Sequence, residues 1–184
     1  MWVERTPAPG ALVTPEPTYA QLQELPDGPE GTGVTLRRMR DYVRAAVRSP
    51  GQEIREAGLQ ILQTVPQRKW LREVLALHAW VRDHIRYIRH PQGVQIIQEP
   101  NKTLAYSSGN CVDKAVLLAS LLESTGHPTR FVALVIRGQQ SDQFSHVITE
   151  TKVGRDWIPL ETIIPVAAGW YPPEAGARLV LPVS

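Results

Sequence analysis

The sequence predicts an α+β domain in which helices pack on a small antiparallel sheet. Three helical runs come first, a buried helix opens at the only cysteine of the chain, and three β-type segments follow without strand–helix alternation. At 184 residues, with 42% hydrophobic and 21% charged residues, the chain can build one sizeable core and is short for two.

Residues 1–33 carry Pro7, Pro9, Pro15, Pro17, Pro26, Pro29 and four glycines, and are expected to form an extended arm. From about Thr35 the run TLRRMRDYVRAAVRS sets Leu36, Met39, Tyr42, Val43 and Val47 on one helix face, and Ser49-Pro50-Gly51 ends it. A second helical run, EIREAGLQILQTV, stops before Pro66. The third, RKWLREVLALHAWVRDHIRYI, places Trp70, Leu71, Val74, Leu77, Val81, His84, Ile85 and Ile88 near one stripe, so this helix should cover the core.

After the break at His90-Pro91-Gln92-Gly93, the segment VQIIQEPNKTLAYSSGN reads as irregular chain with one short strand at most. CVDKAVLLASLLES is apolar on nearly every side, as a buried helix is, and Gly126 and Pro128 stand where its left-handed end and its stop belong. RFVALVI, QFSHVITET and DWIPLETII are the strand candidates, the last two joined by Lys152-Val153-Gly154-Arg155. Residues 165–184 read as a second irregular extension, leaving residues 34–164 as the core domain.

Composition narrows the function classes. One cysteine cannot form an intramolecular disulfide, and the N-terminal residues lack the apolar run of a signal peptide, so a cytoplasmic, non-membrane protein is expected. The net charge of +2 is uneven: residues 33–90 hold twelve basic and five acidic side chains, with Arg37, Arg38, Arg40, Arg44 and Arg48 close together. This is read as a solvated helix face; without aromatic interleaving or a nucleic-acid motif, nucleic acid is not an expected partner. His78 and His84 are six residues apart, a poor spacing for metal ligands on one helix face, and no metal or cofactor is expected.

A free cysteine is usually a small hydrophobe in a core. Cys111, however, stands at a predicted helix N-terminus, where unpaired N–H groups and the helix dipole favour a thiolate. The base it would need is His146, the only histidine in a predicted strand. If the hairpin turns about Val153-Gly154, facing residues have numbers summing to 307, which sets His146 opposite Glu161 with Cβ atoms about 4.5–5.5 Å apart. Thiol, imidazole and carboxylate then have the logic of a catalytic triad: nucleophile, general base and orienting acid.

The stretch GNCVDKAVLLASLLESTGHPTRFVAL resembles the nucleophile segment of the transglutaminase-like superfamily, and FSHVITETKVGRDWIPLET resembles its histidine and acid strands, over about Trp70 to Ile164. The resemblance implies a papain-like fold with Cys111 as nucleophile, His146 as base and Glu161 as acid, although the family usually has Asp at the last position. Asp113 and Lys114 match the motif without an evident chemical role, Asp113 reading as a favourable charge at the helix N-terminus. One oxyanion donor would be the Cys111 N–H; Asn110, Ser108 and Tyr106, and more remotely Gln98, are candidates for the other.

Thiolate attack on an amide would make this a thiol hydrolase, a protease or amidase acting on a peptide or protein substrate. Acyl transfer to an amine, as in a transglutaminase, is the neighbouring alternative. The competing class is a structural module of a bacteriophage-type assembly, a virion component holding protein partners through residues 1–33 and 165–184.

Overall fold

The computed structural model describes residues 28–89, 96–136 and 144–184. Most of the expected N-terminal arm, the break at His90 and the loop between the first two strand candidates lie outside the described residues.

Helix α1, Gly28–Arg48, starts about two turns before Thr35 and takes in the last residues assigned to the arm. Pro29 fits a helix's first turn, where no intrahelical partner awaits an N–H, and Glu30 complements the helix dipole there. Leu36, Met39 and Val43 are buried as their spacing predicts, whereas Val47 is exposed where the helix runs past the core. Helix α2 spans Glu53–Ile61 and helix α3 spans Trp70–His84. The middle of the α3 stripe is buried through Val74, Leu77, Val81 and Ile85, but Trp70 and Leu71 are about half exposed.

Strand β1, Arg86–Tyr87, pairs in parallel with β2, Ser108–Gly109, and helix α4, Pro100–Tyr106, fills part of the stretch expected to be irregular. Pro100 in its first turn is compatible with helix for the same reason as Pro29. Helix α5, Cys111–Ser124, follows the predicted limits and is enclosed along almost its whole length. One side of it meets Leu36, Met39, Val43 and the sheet residues Phe131, Ala133 and Val147. The other packs against Ile54, Val74, Leu77, Val81 and Leu160. Gly126 takes φ +92° just past its end, which a side chain would disfavour.

Strands β3 (Thr129–Ile136), β4 (His146–Val153), β5 (Asp156–Leu160) and β6 (Ala175–Pro182) form an antiparallel sheet in the order β5-β4-β3-β6. Strand β6 corrects the expectation that residues 165–184 are irregular. Its ARLVLP run alternates weakly and is bracketed by prolines, which an edge strand tolerates because one row of its backbone groups needs no ladder partner. It pairs with β3 through partners such as Val132 and Val180, and Arg44 of α1 donates from Nε to the Val183 carbonyl at 2.8 Å. The C-terminal segment is thus part of the core sheet. No described helix is long and apolar enough to cross a membrane.

The β4–β5 hairpin also corrects a detail. Val153 pairs with Asp156 and Thr149 with Leu160, so facing residues sum to 309 and the turn is the two-residue Gly154-Arg155. Gly154 has φ +63° and Arg155 does not have a positive φ, the pattern of a type II′ turn with glycine in its first central position.

Candidate active site

The N-terminus of α5 is fixed by interlocking hydrogen bonds. Asn110 is its N-cap: Oδ1 accepts from the Asp113 N–H at 3.0 Å, while Asp113 Oδ2 accepts from the Asn110 N–H at 2.9 Å, a reciprocal capping box. The fully buried Asp113 carboxylate also accepts from the Gln98 N–H at 2.8 Å and from Gln98 Nε2 at 3.1 Å. Asp113 therefore does more than complement the dipole; it ties the turn before Cys111 to the segment leading into α4. Gly109 is required there, since a Cβ on it would lie 2.6 Å from the Asp113 Cβ. Cys111 is left as the first helical residue, partly exposed, with its N–H among those no intrahelical carbonyl reaches.

His146 is the first residue of β4. Its Nε2 donates to Glu161 Oε2 at 2.6 Å, and the Cys111 side chain stands near enough to the ring to favour its charged form. With Nε2 engaged by the carboxylate, Nδ1 is the ring nitrogen left to meet another partner. Burial alone would depress the imidazole pKa; the bonds and charges of Cys111 and Glu161 outweigh it and raise it to about 9. Burial likewise acts against ionisation of Glu161, yet His146 and the backbone N–H groups of Ile163 and Thr162 hold its pKa below the ordinary value.

The 309 register changes how His146 and Glu161 meet. The ladder ends at Thr149–Leu160, and its continuation would set His146 opposite Ile163 rather than Glu161. A shift of two preserves the alternation of faces, so Glu161 becomes a diagonal neighbour, in a geometry that only longer side chains span. The extra methylene of Glu relative to Asp supplies that reach.

Other candidates from the sequence stand elsewhere. Tyr106 is 63% exposed on α4. Ser108 lies in β2, where its carbonyl accepts from Gln98 Nε2 at 3.3 Å, and the Gln98 amide is thereby divided between Ser108 and Asp113. The Asn110 side-chain oxygen is occupied as a cap. A groove of about 600 Å³ lies at the opposite end of α5, lined by residues including Arg55, Glu73, Glu123 and Gly126, and includes none of Cys111, His146 and Glu161. Among the described residues no cluster of histidine, cysteine and carboxylates could hold a metal ion.

Two residues given no role by sequence reasoning adjoin the site. Lys114, 1% exposed, donates from Nζ to the carbonyls of Ile85 at 2.6 Å and Arg82 at 3.3 Å, placing a cation at the C-terminus of α3. Burial lowers its pKa to about 8, with the Glu161 charge opposing that shift. His78, 2% exposed, donates from Nε2 to the Glu161 carbonyl at 2.5 Å. Its position on the Val74, Leu77, Val81 stripe was the available signal that it faces inward.

The solved structures most similar in fold include a candidate protease of Parabacteroides distasonis ATCC 8503, at 12% identity and a TM-score of 0.59 over 89% of this chain and 34% of that one. A candidate cysteine protease of Cytophaga hutchinsonii aligns at 15% identity and a TM-score of 0.49 over 78% of this chain and 51% of that one. The chain thus spans about a third and about half of the lengths of these two proteins. No curated protein matches it. The model of the transglutaminase-like superfamily matches residues 59–162, more than half of the chain and the whole stretch from α3 to Glu161; the protein belongs to that superfamily.

Proposed function

We propose that the protein is a cysteine-dependent amide hydrolase, a protease or amidase, with Cys111 as nucleophile, His146 as general base and acid, and Glu161 as the orienting carboxylate. The observation that carries the reading is the His146 ring itself, held by the buried Glu161 carboxylate at 2.6 Å and raised in basicity by Cys111 as well as Glu161. Family membership supports it, and the similar fold of a candidate protease from Parabacteroides distasonis points the same way.

In this mechanism the Cys111 sulfur attacks an amide carbonyl carbon, forming a C–S bond and an oxyanion that the Cys111 N–H can receive. His146 then gives its proton to the departing amine as the C–N bond breaks, leaving a thioester. Water attacks the thioester, His146 removes its proton, and the carboxylic acid leaves as the thiolate is restored. Throughout, Glu161 holds the ring by its Nε2–H so that Nδ1 faces the sulfur. An amine in place of water would make the same intermediate a source of acyl transfer.

The test is incubation with a mixed peptide library, read by mass spectrometry for new peptide termini and for converted side-chain amides. Cleavage or amide conversion by the wild type, absent in Cys111→Ala, is expected. Adding a primary amine separates the two outcomes of the thioester, since incorporation that displaces hydrolysis identifies acyl transfer. Equal product from Cys111→Ala would remove the cysteine from the mechanism.

A further inference from the structure

Glu161 is gripped at three atoms. Its Oε2 accepts from His146 at 2.6 Å, its Oε1 from the Ile163 N–H at 2.6 Å, and its backbone carbonyl from His78 Nε2 at 2.5 Å. The first is the contact used in the proposed chemistry, and the second is local to the turn. The third comes from another element, reaching from the middle of α3 across 83 residues of sequence to a backbone point just beyond the last ladder pair of β5.

That location gives the bond its significance. After Leu160 the sheet no longer dictates the path of the chain, yet Glu161 must present its carboxylate diagonally to His146. A backbone freed from the ladder at this point could swing the carboxylate away. A buried carbonyl also requires a donor, because water cannot reach it and an unmet acceptor costs about 1–3 kcal/mol. His78 supplies the donor from a helix anchored on both sides by Leu77 and Val81.

We propose that His78 is a positioning residue: its Nε2–H fixes the backbone of Glu161 where the strand ends, and thereby sets the alignment of the carboxylate with His146. The inference rests on the triad reading above, but it concerns geometry that exists before any substrate binds. The bond requires a proton on Nε2, and because burial lowers the His78 pKa the ring is neutral with that proton on Nε2. The charged or titratable groups around this junction are Arg82 and Asp83 beside His78, Lys114 near Glu161, and Cys111 and Glu161 at His146.

The experiment is side-chain NMR of the full chain, following the His146 imidazole through pH in wild type, His78→Leu and His78→Gln. Leucine removes the donor at similar bulk, whereas the glutamine amide can place an N–H near the original Nε2. His78→Leu should lower the His146 midpoint by about one pH unit, a tenfold change in its protonation equilibrium, and His78→Gln should restore most of it. A folded His78→Leu protein with an unchanged midpoint would overturn the proposal, as would a loss in both variants alike. The wild type provides a check that needs no variant: His78 should show the Nε2–H tautomer, with that proton protected from exchange. An Nδ1–H tautomer would exclude the bond to Glu161. Because these readouts need no turnover, their failure is separable from a failure to find hydrolysis.

Discussion

Replacing Glu161 with Gln removes a charge while keeping a side chain of nearly the same shape, so it isolates the electrostatic link in the site. His146 has its pKa raised from 6.5 to about 9 although burial works against the charged ring. At about 1.4 kcal/mol for each tenfold change, this corresponds to about 3 kcal/mol favouring imidazolium in the folded protein, divided between Cys111 and Glu161. With the carboxylate gone, burial is opposed only from the cysteine side, and the His146 midpoint should fall by about one pH unit or more. Because the wild-type pKa is raised on folding, its contribution to stability is fully present below 6.5 and is lost as pH rises through about 9. Urea unfolding of the wild type should therefore weaken across that window, and Glu161→Gln should flatten the dependence. The assay is NMR titration of His146 beside urea melts at the two ends of the window. A midpoint still near 9 in Glu161→Gln would refute the claim that the carboxylate sustains the charged ring.

Further outcomes follow from the same contacts. Gly109→Ala should destabilise the protein by about 1–3 kcal/mol, because its Cβ would press on the Asp113 Cβ within the capping box, and thermal melting should fall by about 2–10 °C. Lys114→Met leaves the Ile85 and Arg82 carbonyls without their buried donor and should cost about 1–3 kcal/mol in urea unfolding near neutral pH; a neutral result would contradict its assignment as the cap of α3. The lowered pKa of Lys114 has its own signature. Its unfolded form binds more protons between about 8 and 10.5, so its contribution to stability rises with pH across that interval, and the rise should vanish in Lys114→Met.

Periodicity located the central parts of the fold because burial enforces it. Helix α5 is enclosed on nearly all sides and its sequence is apolar all round, so both of its limits were legible. The mid-stripe residues of α1 and α3 were legible for the same reason, while Val47, Trp70 and Leu71 were not, since helical spacing alone does not show how far the core extends. Strand β6 was obscured by Pro172, Pro173 and Pro182, residues that read as breaks locally but are harmless at the ends of an edge strand. In the hairpin, a turn centred on Val153-Gly154 differed by two from the observed register. The pairing of His146 with Glu161 survived because strands alternate with period two. The His78 contact lay beyond sequence reading, because a bond from a helix to a single backbone carbonyl leaves no pattern in the residue receiving it.

Alkylation by iodoacetamide, measured as a function of pH with the modified residue located by mass spectrometry, tests the pairing of Cys111 with His146 most directly. In the wild type, Cys111 should be modified faster than an unassisted thiol, because the neighbouring His146 is placed to take its proton. His146→Ala should lose that advantage in rate. Identical profiles for the two proteins would contradict the coupling of Cys111 to His146, and with it the reading of this site as an engine of amide hydrolysis.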